Sequence, residues 1–213
     1  MSDALDAAAT AVMLRAVAEH VLASTERLTR ADQAVGDGDH GIGMARGFEA
    51  AKTKLAAEQP ITVDGTLRAV GMAIMGSTGG AAGAVFGTLF VAAASACKGK
   101  EALDAAVMAE AMQAALAAIQ KRGGAKPGDK TMLDALAPAV EALQANKAGS
   151  LAVALAAAAD AARSGVEATR DMVAATGKAR PLGTRSIGHP DPGAITTSLI
   201  FEAMTNYTRE AAI

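Results

Sequence analysis

Apolar residues recur along most of this chain at the three- and four-residue intervals that line up on one side of an α-helix. Leu14, Val17, Val21 and Leu28 form such a stripe within residues 3–30. Ser24 interrupts the stripe without breaking its period, so the spacing predicts one long first helix. A second helix is expected from about Ile42 to Glu58, ended by Gln59-Pro60, because the residue before a proline avoids the helical region. Thr62 offers a cap for a third helix running to about Met75. The fourth is expected over about 81–97 and the fifth over about 101–121. Asp129 or Thr131 opens a sixth that ends near Ala145, and Ser150 caps a seventh that runs to about Thr176. After a long irregular stretch, Asp191-Pro192 reads as a cap followed by proline at the first helical position, opening the eighth.

Eight helices joined mostly by short connections imply antiparallel neighbours. The expected fold class is therefore all-α, an eight-helix antiparallel up-and-down bundle or barrel, with residues 1–213 forming one domain. In such a bundle every second connection falls at the same end. Those connections are the four unusual segments of the chain: AVGDGDHG (34–41), GSTGGAAG (76–83), RGGAKPGDKT (122–131) and GKARPLGTRSIGHPDPG (177–193). The other connections are plain, so one end of the bundle is expected to be a site.

Composition agrees with helix packed on helix. Hydrophobic residues make up 51% of the chain but aromatics only 2%, so the core must be built from small and aliphatic side chains that let helices approach closely. Runs of β-branched or aromatic residues at period two are too few for a sheet. A net charge of −2 offers no basic footprint for nucleic acid. Cys97 is the single cysteine, which excludes an intramolecular disulfide, and its apolar surroundings predict a buried thiol. The start, MSDALDAAATAVML, lacks the basic region of a secretion signal, and the cytoplasm is the expected compartment. Residues 69–97 carry no charge and are long enough to span a bilayer. Their centre is the polar, glycine-rich GSTGGAAG, however, so the expectation is two buried helices joined by a glycine loop and no membrane span.

Three carboxylates, Asp32, Asp37 and Asp39, stand in a D-x4-D-x-D spacing. Ionised carboxylates crowded on one short segment repel one another unless a cation lies between them. Their hard oxygens suit Mg²⁺ or Ca²⁺. An EF-hand is excluded, because counting Asp37 as its first position puts Gly41 at the fifth. The rival reading of the same residues is a helix cap and a solvated turn. The loop Gly76-Ser77-Thr78-Gly79-Gly80 leads into a helix, where backbone N–H groups and the helix dipole favour an anion. It is not a P-loop, since the lysine of G-x4-G-K-[ST] is missing. Asp191-Pro192-Gly193 makes a second glycine-bearing helix start, and Lys178, Arg180 and Arg185 add positive charge to the same connection. A carboxylate cluster for metal, two helix starts for phosphates and cations for developing charge are the parts that phosphoryl transfer needs.

Four motifs then carry a resemblance: GDGDHGIGMARGF (36–48), GSTGGAAGAVFGTLF (76–90), GAKPGDKTMLDAL (124–136) and GTRSIGHPDPGA (183–194). Their order and spacing resemble the nucleotide-binding L subunit of dihydroxyacetone kinases, over nearly the whole chain. The resemblance implies an eight-helix antiparallel barrel with ADP or ATP at one pole. It implies that Asp32, Asp37 and Asp39 hold two Mg²⁺ ions against the diphosphate, with Arg185 placed for catalysis. It implies nucleotide contacts at His40, Gly41, Ile42 and Gly43, at Gly79, Gly80, Ala81, Ala82 and Gly83, at Gly123, at Lys178, and at Asp191, Pro192 and Gly193, with Met132 against the adenine. Two departures stand out: Ala82 where many members have serine, and GKARPLG (177–183) where many read GRASYLG, so that Lys178 replaces an arginine. The resemblance further implies a separate K subunit that carries the ketose. The phosphoryl donor is either free ATP or a phosphotransferase-system protein. Dihydroxyacetone is the default ketose, with erythrulose as the alternative; a homodimer stays open. Competing readings are a kinase component for an acyl acceptor and a non-catalytic bundle that binds a lipid or a partner.

Overall fold

Short polar side chains set the helix starts. Asp6 accepts the Ala9 N–H at 2.8 Å, Thr62 that of Gly65 at 3.1 Å, Asp104 that of Val107 at 2.8 Å, and Ser150 that of Val153 at 3.2 Å. In the structure, a computed structural model that describes residues 4–57 and 61–211, these caps open α1 (Ala7–Ala23), α4 (Val63–Thr78), α6 (Ala105–Gly123) and α8 (Leu151–Ala168). The other helices are α2 (Thr25–Val35), α3 (His40–Ala57), α5 (Gly80–Ala96), α7 (Leu133–Asn146) and α9 (Pro192–Ala211). Two 3₁₀ segments, Thr169–Asp171 and Arg180–Ser186, lie in the last connection. The described residues form no strand, only one isolated bridge between Leu5 and Leu103.

Three boundaries differ from the sequence expectation. The first helix is not one rod: α1 and α2 meet at 56°. The Ser24 N–H turns back to the Val21 carbonyl at 3.0 Å and the Thr25 hydroxyl donates to Leu22 O at 2.7 Å, which closes α1 locally. A break of one residue leaves Val21 and Leu28 on the same buried side, so the apolar period does not reveal it. The sixth helix starts at Leu133 because Asp134 draws the preceding residues into a loop, accepting the Gly128 N–H at 2.5 Å and the Thr131 N–H at 2.7 Å. The seventh ends at Ala168, eight residues before Thr176. The Ala174 N–H goes to Ser186 Oγ at 3.0 Å and the Ala175 N–H to Asp129 O at 3.1 Å, so these groups serve neighbouring loops instead of a helix. The expected stop at Gln59-Pro60 lies outside the described residues.

The helices pack in ring order α1, α3, α4, α5, α6, α7, α8, α9, and α9 returns to α1. Sequential neighbours are antiparallel, with α2 laid against α3 and α9. Leu5, just ahead of α1, pairs with Leu103 in the connection between α5 and α6, and α9 runs toward that same pole, so the outer ends of α1 and α9 share it. The interior is filled by Phe48, Phe86, Phe90, Phe201 and aliphatic residues that are almost fully buried. Alanine and glycine set the spacing. At the α4–α5 crossing a Cβ on Gly71 would lie 2.9 Å from Gly87 O, and one on Gly87 the same distance from Gly71 O, so neither helix tolerates a side chain there. Cys97 is buried among apolar side chains, and desolvation pushes its thiol up to about 11, as expected for an inert structural cysteine. Among the described residues no single helix is long and apolar enough to cross a membrane.

Candidate functional site

The up-and-down path brings the starts of α3, α5, α7 and α9 to one pole, so four helix dipoles present their positive ends together. The four connections there are tied to one another. Lys178 reaches Asp37 and Asp39, Asp129 O accepts from Ala175, Arg46 on α3 donates to Thr78 O at 3.1 Å, and within the last connection the Gly188 N–H reaches Arg170 O at 2.8 Å.

The carboxylates form the acidic side of the pole. Asp32, in the last turn of α2, is buried and accepts the His40 N–H at 3.1 Å. Asp37 and Asp39 flank Gly38, whose φ of +80° makes the turn that brings them back toward Asp32. One oxygen from each of the three lies within 4.8 Å of the others. The Lys178 ammonium bridges the two exposed ones, 2.8 and 2.7 Å from the two Asp37 oxygens and 2.8 Å from Asp39 Oδ2. That pairing raises the Lys178 pKa above its usual value and lowers that of Asp37. A pole that has drawn an ammonium onto two of its three carboxylates is one whose charge calls for a cation. The donor set, all hard oxygen with two of its members exposed, fits Mg²⁺ or Ca²⁺.

Beside the cluster lies the glycine turn. Gly79 (φ +76°) and Gly80 (φ +59°) adopt backbone that side-chain-bearing residues avoid, and a Cβ on either would meet nothing within 4 Å. Glycine is therefore required here by conformation, and the space in front of the turn is open. Gly79 supplies no capping side chain, so the first N–H groups of α5 have no side-chain partner. Gly43 and Gly47 of α3 seat against Thr78; a Cβ on Gly47 would come within 2.1 Å of Thr78 Oγ1. This close fit sets the start of α3, with His40, Gly41 and the exposed Ile42, next to the turn that holds Gly79 to Gly83. The His40 ring spans to α9. Its Nε2 lies 2.9 Å from Thr196 Oγ1, which also lies 3.1 Å from Pro192 O. Burial pulls the His40 pKa down, which keeps the ring neutral.

The opposite wall joins the starts of α7 and α9. Met132 is buried, and a Cβ on Gly193 would lie 3.3 Å from the Met132 Cβ. Asp191 caps α9 through the Ala194 N–H at 2.7 Å and is driven up to about 7, chiefly by burial. Gly123 sits apart from this wall, exposed in the last turn of α6, and Arg180 and Arg185 extend into solvent from the last 3₁₀ segment without an ion pair to the cluster. Five residues of the pole went unremarked at the level of sequence: Arg46, Lys130, Asp134, Thr169 and Thr196. Arg46, Lys130 and Asp134 lie inside quoted motifs, but no local pattern there marks their roles. Thr169 and Thr196 act only through folded neighbours and leave no local pattern.

Residues 34–206 match the model of the DAK2 domain. The chain is 37% identical over 186 residues to a Listeria innocua protein named PEP-dependent dihydroxyacetone kinase 1, ADP-binding subunit DhaL, covering 87% of this chain and 89% of that one. It is 38% identical over 188 residues to the Escherichia coli PEP-dependent dihydroxyacetone kinase ADP-binding subunit DhaL, covering 87% and 90%. The D-erythrulose kinase of Mycolicibacterium smegmatis is 39% identical over 188 residues, covering 86% of this chain and 32% of that longer one. Among solved structures, the dihydroxyacetone kinase from C. freundii in complex with AMP-PNP and Mg²⁺ superposes with a TM-score of 0.74 at 28% identity, over 92% of this chain. The chain spans about a third of that protein's length, 33%.

Proposed function

The chain belongs to the DAK2-domain family, in its DhaL branch, and on that premise we propose that it is the ADP- or ATP-holding subunit of a dihydroxyacetone-type ketose kinase. The observation that carries the reading is the carboxylate cluster with an ammonium drawn into it, beside an uncapped helix start. In this reading Asp32, Asp37 and Asp39 hold two Mg²⁺ ions. Magnesium bound there supplies charge neutralisation for the diphosphate and for the phosphoryl group in transfer.

The chain's own residues do the rest by positioning. Backbone N–H groups from Gly80 to Ala82 and from Gly41 and Ile42 bind phosphate oxygens, with Gly79, Gly83, His40 and Gly43 shaping the two turns, because Ala82 offers no hydroxyl for that task. Neutral His40, fixed by Thr196, orients the first turn of α3 and adds no competing positive charge. Met132 packs against the adenine, with Gly123 and Asp191 to Gly193 along the nucleotide. Lys178, with Arg185 on the same connection, closes over the phosphates and excludes water, which suppresses futile hydrolysis. Residues 1–213 act as one nucleotide-binding domain.

The ketose sits on a separate K subunit that docks at the open pole. The relatives matched nearly end to end are named as ADP-binding subunits, a division of labour that supports this partner. The same names support a phosphoryl donor linked to phosphoenolpyruvate, as does that of the Lactococcus lactis PTS-dependent relative. Dihydroxyacetone is the ketose we assign, and the cytoplasm, where such donors are found, the compartment. The test is phosphorylation of dihydroxyacetone and erythrulose by the isolated chain and by the chain with its cognate K subunit, using ATP or a phosphotransferase donor. Turnover is expected only with the K subunit present. Robust turnover by the isolated chain would show that the sugar site is misplaced.

A further inference from the structure

Lys130 is the one non-glycine residue with positive φ among the described residues, at +60°. The loop around it already uses glycine at 123, 124 and 128, and glycine would hold this backbone without strain. What recommends lysine is therefore its side chain. That side chain is almost completely buried, with 2% of the residue exposed, and burial pulls its pKa down. Its ammonium donates to Thr169 O and, at 2.6 Å, to His189 O. These carbonyls belong to the two ends of one further connection, the exit from α8 and the approach to α9. Buried Asp134, and the partly buried Asp191 when it is ionised, provide attraction that offsets the desolvation of the charge.

The partners of Lys130 are tied in turn to the base wall. The Asp191 N–H donates to Thr169 Oγ1 at 2.9 Å, and Asp191 caps α9 just ahead of Gly193. Asp134 holds the Gly128 and Thr131 N–H groups and so shapes the strap that carries both Lys130 and Met132. The metal cluster lies on other elements, the end of α2 and the start of α3. We infer that Lys130 is the positioning residue of the nucleotide base: its buried ammonium clasps the loop before α7 to both ends of the connection between α8 and α9 and thereby presents Met132 beside the Asp191–Gly193 turn. The inference rests on the nucleotide reading above, and it assigns Lys130 to the base half of the site and not to the phosphate half.

That division gives the test. Titration calorimetry of the full chain with Mg²⁺–ADP and with Mg²⁺–pyrophosphate separates base from phosphate recognition. In K130M the affinity for Mg²⁺–ADP should fall about tenfold or more, while that for Mg²⁺–pyrophosphate stays within about twofold of wild type. Equal losses for both probes, or no loss for either, would overturn the inference and leave the nucleotide reading intact. Wild-type protein that bound neither probe would overturn both. Should K130M fail to fold, T169V unhooks Asp191 from the same clasp without removing the ammonium, and the same selective loss of Mg²⁺–ADP is expected of it. T169V that bound both probes as wild type does would overturn the inference.

Discussion

Asp191 offers the sharpest check on the electrostatics of the pole. It is the cap of α9, and burial lifts its carboxyl from 3.8 to about 7. The native state therefore holds a proton that the unfolded chain has already released. Stability carried by that proton is fully present below the unfolded pKa and is lost as pH rises toward 7. Three units at about 1.4 kcal/mol each put the cost of the ionised form at about 4 kcal/mol, a large share of a domain's stability. Asp191→Asn removes the titration and keeps a good capping residue for the Ala194 N–H. Urea denaturation of both proteins without ligand should show the variant gaining about 3 kcal/mol on wild type between about pH 4.5 and about pH 7.5. All other carboxylates cancel in the comparison. Parallel stability curves across that window would refute the assignment of a buried, proton-retaining Asp191.

Other perturbations test other parts of the pole. Asp37→Ala or Asp39→Ala should abolish Mg²⁺-dependent nucleotide binding while helicity by circular dichroism stays unchanged, since both side chains lie on an exposed loop. In wild type, ligand at about 100-fold excess over Kd should add about 2.7 kcal/mol to stability, a gain either variant should lack. Gly165→Ala should cost about 1–3 kcal/mol despite the better helix propensity of alanine, because its Cβ would lie 2.1 Å from the Asp134 carbonyl oxygen, a backbone atom that cannot step aside. A urea midpoint at or above wild type would contradict that contact. Lys178→Met should tighten binding of Mg²⁺ alone, measured by calorimetry without nucleotide, because the tethered ammonium and the metal compete for Asp37 and Asp39.

The helical architecture was legible because it rests on repeated local signals. Thr62, Ser150 and Asp191 announce their helices by residue type, and the four polar connections fall together by parity of an antiparallel path. The carboxylate cluster was legible for the same reason, since three acids within eight residues meet whatever the rest of the fold does. What stayed hidden depends on long-range partners. The bend at Ser24 preserves the apolar period, and the early end of α8 is caused by Ser186 and Asp129, remote in sequence. Lys130 reads as one more surface charge until its acceptors, 39 and 59 residues away, are known.

The antiparallel pairing of α1 with α9 has a consequence for how such a unit is reused. Both outer ends lie at the floor of the barrel, where Leu5 pairs with Leu103, while every site loop opens from the roof. A linker could join the outer ends of α1 and α9, and new ends could be opened at the exposed floor turn 98–101, without disturbing a residue of the site. By the same geometry, a neighbour spliced onto either end hangs below the barrel. The unit is portable: it can be carried by other polypeptides as a cartridge whose working face remains free to meet whatever is brought to it.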